Sequence, residues 1–135
     1  MAELIKFEVA KKEVTDWLSN CGISEKQLKT LENFVDKLSE FVSKGYLVIN
    51  ADLSITQHLI NPLGDGNTKT ITYKPDYEVG TLQTNQSLNK DGSNIGEAIA
   101  MLCTLSEMPI TVFQRMKRRD FTVADKVDRK STRLN

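Results

Sequence analysis

Thr70-Ile-Thr-Tyr-Lys-Pro75 and, after a polar segment, Ile95-Gly-Glu-Ala-Ile-Ala-Met-Leu-Cys-Thr-Leu-Ser-Glu-Met-Pro-Ile-Thr-Val-Phe-Gln-Arg-Met-Lys-Arg-Arg-Asp-Phe121 decide how this chain is read. The first stretch alternates hydroxyl or charged side chains with larger ones and stops at a proline, which has no amide to donate to a ladder. The second holds two helical stretches divided at Met108-Pro109, the later one closing on a basic run, Arg115-Met-Lys-Arg-Arg119. In the earlier one Ile95, Ile99, Leu102 and Leu105 form an apolar face. Gly96, Ala98, Ala100 and Cys103 beside it permit close helix approach. Asn94-Ile-Gly-Glu97 offers a capping box at its start. Pro109 suits the first position of the next helix, and Asp120 or Thr122 is expected to cap a last turn holding Val123, Ala124 and Val127.

Working toward the N-terminus, Thr68–Tyr73 is expected to be the third of three short strands. Tyr46-Leu-Val-Ile-Asn-Ala51 and Ile55-Thr-Gln-His-Leu-Ile60 read as the others, joined by turn chemistry at Asp52-Leu-Ser54. Pro62-Leu-Gly-Asp-Gly-Asn67 reads as a loop. Before the strands, Val9, Val14, Trp17, Leu18 and Cys21 sit at helical spacing, with Gly22 where a left-handed cap is wanted. Ser24-Glu-Lys-Gln27 is a capping box. Leu28, Leu31, Val35, Leu38 and Val42 then recur in steps of three and four, predicting one helix that runs to Gly45. Its stripe reads either as an internal face or as a surface offered to another subunit; it is too short for a coiled coil, so internal packing, as the cover of the sheet, is the expectation. The expectation is a single α+β domain over 1–129. It comprises an N-terminal helical hairpin (1–45), a small three-stranded antiparallel sheet (46–75), a polar linker (76–94) and C-terminal helices (95–129). Tyr77, Val79 and Leu82 mark a short helical turn in the linker, and 130–135 is a tail expected to fray.

A chain of 135 residues buries roughly two-thirds of its unfolded surface, enough for a core without disulfides or metal. Its formal charge is zero, but residues 1–111 carry 10 basic and 15 acidic side chains, and residues 112–135 carry 8 and 3. An acidic body with a basic end follows. Cys21 and Cys103 fall in apolar helical patterns without metal or redox spacing, and buried thiols in a reducing compartment are expected. No apolar run reaches the ~20 residues of a membrane span, and the first residues lack the apolar stretch of a secretory signal. A cytoplasmic protein with no membrane partner is the expectation.

Reactive constellations are missing from the sequence. The one histidine, His58, lies mid-strand, where a solvent-facing side chain is expected. No serine or cysteine has the context of an activated nucleophile. Gly64-Asp-Gly66 lacks the lysine-hydroxyl pair of a phosphate loop and the alternating ligands of a calcium loop. No catalytic, cofactor-binding or metal-binding residue is assigned, and an enzyme is the least expected class. The basic run at 115–119 has three readings: a phosphate-binding cluster, a docking patch for an acidic partner, and cations that complement the negative end of a helix. Zero overall charge argues against nucleic acid, because phosphate contacts supply much of that affinity.

The order of strand, Tyr73 and Pro75, polar linker, helix Ile95–Leu105, Met108-Pro109-Ile110 joint, short helix and Asp120-Phe121 resembles the tail assembly chaperones of long-tailed bacteriophages. The resemblance spans roughly residues 68–128 and rests on the order of the pieces. The joint departs from it in lacking a small residue or glycine just before the proline, and residues 1–45 form no part of it. The resemblance implies a non-enzymatic binder in the host cytoplasm that keeps the hydrophobic tape-measure protein soluble and helps to recruit tail-tube protein. It implies helix-in-groove binding repeated over many copies, with weak homo-oligomer formation. Phe113, Met116 and Phe121 are then the expected partner contacts, with Arg115 and Arg118 at the rim. Core packing is the competing role for the three apolar residues. Two other functions remain open: a nucleic-acid-binding regulator using 115–119, and a structural virion adaptor such as a tail-tube or head–tail joining protein.

Overall fold

The computed structural model describes residues 4–64, 66, 68–89 and 92–130. Its elements are α1 (Phe7–Asn20), α2 (Glu25–Thr30), α3 (Glu32–Ser43), β1 (Leu47–Ile49), β2 (Ile55–Leu63) and β3 (Thr68–Tyr73), followed by α4 (Val79–Gln86), α5 (Asn94–Ser106), α6 (Ile110–Gln114) and α7 (Arg118–Arg129). A mixed α+β architecture with an antiparallel three-stranded sheet is what the sequence leads one to expect.

The N-terminal hairpin is built from α1 and α3, which pack along each other. α1 buries Ala10, Val14, Trp17 and Leu18, while Val9 stands 49% exposed, outside the stripe. Gly22 takes φ +97°, the left-handed conformation that ends the helix, where a Cβ would be strained. The expected single helix over 24–45 is two helices. Leu31 at φ −105°, ψ 26° leaves the helical region, its amide shared between the carbonyls of Gln27 and Leu28. The spacing of apolar residues survives that tightened turn, which is why the sequence hides it. The Ser24/Gln27 capping box forms as expected.

The sheet has order β1-β2-β3. Val48 lies opposite Thr56, Gln57 opposite Ile71, and Ile55 opposite Tyr73. Period-two alternation turns Leu47, Ile55, Gln57, Leu59, Ile71 and Tyr73 inward, and leaves Val48, His58, Thr70 and Thr72 exposed. β2 runs three residues beyond its expected end, through Pro62. The pairing with β3 is irregular between His58 and Leu63, so Pro62 sits where no ladder amide is required. The sheet is covered chiefly by α5 on β3 and α7 on β2, with α1 and α3 mainly against β1. The expectation that the second helical segment would cover it is corrected accordingly.

The C-terminal half departs most from expectation. The short helical turn expected in the polar linker is an eight-residue helix, α4, which contains Val79 and Leu82 and lies along α5 without burying any residue fully. The α5 cap is Ser93, whose hydroxyl accepts the Gly96 amide, one residue before the expected Asn94; Glu97 meets Gln86 and Asn89 instead. Pro109 is the N-cap of α6, not its first residue. α6 ends at Gln114, and a new twelve-residue helix, α7, begins at Arg118 in place of the expected last turn. Neither Asp120 nor Thr122 caps it. Of the expected frayed tail, Lys130 is buried, with its ammonium 5.1 Å from the Trp17 ring centroid and 3.3 Å from the Pro75 carbonyl. Residues 131–135 of that tail lie outside the described residues.

Candidate functional site: an apolar groove beside the basic turn

The break between α6 and α7 opens a broad groove on the surface. α5 supplies its floor with Ile99, Ala100 and Cys103. Met108, Pro109 and Ile110 form one end, and Phe113, Met116 and Phe121 one wall. Asn85 from α4, with Leu88 and Asn89 from the α4–α5 connection, completes the lining on another side. The groove measures about 1120 Å³, larger than the roughly 300–1,000 Å³ usual for small-molecule pockets. An α-helix about 10 Å across fills roughly 120 Å³ per residue of its length, so this volume matches some two to three turns.

Local sequence explains each wall. α5 presents apolar or small side chains all round, and Ala98 through Leu105 are buried. Of its large apolar residues only Ile95, in the first turn, is left 65% exposed at the groove mouth, where Leu88 is 54% exposed. Glu107 ends α5 at φ +60°, a conformation in which glycine would be unstrained, and its carboxylate pairs with Lys74. That left-handed residue swings the chain back so that α6 crosses beside α5. The wall beyond is tied to the sheet. Tyr73 Oη donates to Gln57 Oε1 (2.7 Å), Gln57 Nε2 donates to the Asp120 carbonyl (2.8 Å), and the Asp120 carboxylate accepts the Ile60 and Asn61 amides (2.7 and 2.9 Å). Backbone groups freed by the irregular β2 pairing thus find partners on α7.

Of the five residues expected to bind a partner, four meet in this groove: Phe113, Met116, Arg118 and Phe121. Phe113 and Met116 are 2% and 9% exposed and serve the core while their edges line the wall. Phe121 is half-buried. Arg115 is exposed at the end of α6 and is not among the lining residues. The sequence reading missed Leu88, Ile95 and Ile99, although exposed apolar residues beside a turn-rich segment were visible. The basic run does not complement a helix C-terminus as a whole. Arg118 and Arg119 open α7, where the dipole disfavours cations; only Arg115 sits at a C-terminal end.

Two groups beside the groove, Tyr73 and Cys103, are kept in their neutral form by burial. Burial raises the Tyr73 hydroxyl far above its ordinary value, with the Asp120 and Cys103 charges adding to it. Burial also pushes the Cys103 thiol up to about 11, which makes it a poor nucleophile at neutral pH. Among the described residues no three His, Cys, Asp or Glu side chains are grouped to hold a metal, and no helix is long and apolar enough to cross a membrane. What the arrangement offers chemically is apolar surface with a cationic edge. No protein-family model matches the chain, and no curated protein and no solved structure matches it.

Proposed function

We propose that this chain is a non-enzymatic tail assembly chaperone of the long-tailed bacteriophage kind, working in the host cytoplasm. In this reading it holds apolar helical segments of a tape-measure protein out of water and helps to recruit tail-tube protein. The groove carries the proposal: a partly empty apolar channel of helix-sized volume, with Leu88 and Ile95 exposed at its mouth, on a framework tied down by buried hydrogen bonds. Burying a leucine-sized side chain contributes roughly 1.5–3 kcal/mol, so a few contacts per site give weak binding. Many copies along one client then give strong but reversible coating. Co-expression with a tape-measure protein tests it. That client should move from the pellet to the soluble fraction, and a client equally insoluble with and without this chain refutes the reading.

The exposed cations Arg115, Lys117, Arg118 and Arg119 favour a second reading, a nucleic-acid-binding regulator. That function requires DNA affinity that falls steeply with added salt. Absence of binding at low salt removes it. Recovery of the chain in purified particles would instead support a structural virion adaptor.

A further inference from the structure

The groove's charge is one-sided. Arg118 is the only charged residue lining it, and no carboxylate faces into it among the described residues. Arg115, Lys117 and Arg119 are exposed in the adjoining turn, and none of the four cations makes an ion pair among the described residues. Several cations elsewhere are paired, Lys11 with Asp36, Lys12 with Asp16, Lys44 with Glu40 and Arg129 with Asp125, while Lys6, Lys26, Lys29 and Lys69 make no ion pair among the described residues but stand at scattered positions. The nearest acid in sequence, Asp120, has both carboxylate oxygens committed to backbone amides. Arg118 and Arg119 also face the positive end of the α7 dipole, so their placement costs the fold stability that an incoming carboxylate would restore.

We infer that the groove selects an amphipathic helix whose apolar stripe is flanked by Asp or Glu on the side that meets Arg118. This rests on the proposed helix-binding function and adds a charge rule to it. The apolar floor takes the stripe, Arg118 takes the acidic flank, and the neutral amides of Asn85 and Asn89 border the other side. Nucleic acid fits the lining less well, because stacking needs open aromatic faces, and of the two lining aromatics Phe113 is only 2% exposed and Phe121 is half-buried. A second copy of this chain fits it less well, because the apolar stripes of its helices α1 and α3 already pack on each other.

Two labelled peptides of about 20 residues, long enough to overfill the groove's two to three turns, make the test. They share one Leu/Ile stripe and differ in carrying Glu or Lys flanks. Fluorescence anisotropy is read at about 50 and 500 mM salt, where screening lengths are roughly 14 and 4 Å. The Glu-flanked peptide should bind roughly tenfold tighter at low salt, as expected for one partly desolvated charge contact, and the gap should close at high salt. Arg118→Glu, at an exposed position that leaves the fold intact by circular dichroism, should reverse the preference. Arg119→Glu, outside the lining, should change it less. Equal affinities, a preference for Lys flanks, or an Arg118→Glu protein with unchanged preference overturns the charge rule, as does ready displacement of the Glu peptide by a short DNA duplex. A charge rule that fails while the tape-measure client is still kept soluble leaves the chaperone reading standing, so the two can fail separately.

Discussion

Gln57 donates its side-chain amide to the backbone carbonyl of Asp120 over 2.8 Å, although 63 residues separate them. That bond and the two that the Asp120 carboxylate accepts make one joint between the sheet and the groove wall. Asp120 is fully buried, where a carboxyl group without partners would be costly, and amide donors meet both of its oxygens. Asp120→Ala should lower unfolding free energy by about 3 kcal/mol, from two lost charge-assisted bonds and two stranded amides. Asp120→Asn keeps one acceptor oxygen and should lose about half as much. Urea denaturation measures both; a loss under about 1 kcal/mol for the alanine variant would mean water replaces the carboxylate.

The same joint predicts a stability decline on the alkaline side. Tyr73 and Cys103 both have folded values above their ordinary 10.0 and 9.0, chiefly through burial. Groups raised in this way contribute stability that is intact below the ordinary value and is lost as pH rises through the folded one. Cys103 therefore erodes stability between pH 9 and about 11, and Tyr73 adds to this above pH 10. Cys103→Ala should flatten the lower part of the decline. Tyr73→Phe should flatten the upper part, at a neutral-pH cost of about 1 kcal/mol for the unpaired Gln57 oxygen. Absorbance at alkaline pH should show one of the three tyrosines ionising only as the protein unfolds. Three tyrosines titrating together before unfolding would contradict the burial of Tyr73.

How much of this was legible in the sequence depended on whether the deciding group was a side chain. Gly22 and the Ser24/Gln27 box announce themselves, because left-handed backbone and free amide donors select particular residue types. The alternation in Thr68–Tyr73 gave the strand and its inward faces. The break at Leu31 left no trace, because one tightened turn does not disturb a three-four spacing. Asp120 was taken for a helix cap. Its partners are amides freed by irregular strand pairing, and backbone groups have no sequence signature. Phe113, Met116, Arg118 and Phe121 could be nominated as a set. Their groove could not, since it exists only because Glu107 is left-handed and the helix breaks before Arg118.

α4 should be the first helix to open. It buries no residue fully, its apolar contact rests on half-buried Leu82, and two side-chain hydrogen bonds hold it to α5, Asn85 to Thr104 (2.9 Å) and Gln86 to Glu97 (3.2 Å). Beneath it α5 is buried from Ala98 to Leu105. Hydrogen exchange should therefore be on the order of a thousandfold faster across 79–86 than across 98–105. Equal protection of the two segments would mean that α4 separates only with global unfolding, and that this groove wall is rigid.

Exposed residues at the groove mouth and buried residues in its wall should separate binding from stability. Leu88 and Ile95 are 54% and 65% exposed, so replacing both by serine removes little buried surface. The double variant should hold its unfolding free energy within about 0.5 kcal/mol, as surface substitutions do. It should nevertheless lose most of its ability to keep a tape-measure client in the supernatant. Phe113→Ala acts in the opposite way: at 2% exposure its loss leaves a core cavity and should cost about 3–4 kcal/mol. Sedimentation of the client and thermal melts of each variant provide the two readouts. A serine double variant that melts normally and protects the client as well as the parent would remove the mouth from the binding surface, and the functional reading of this groove with it.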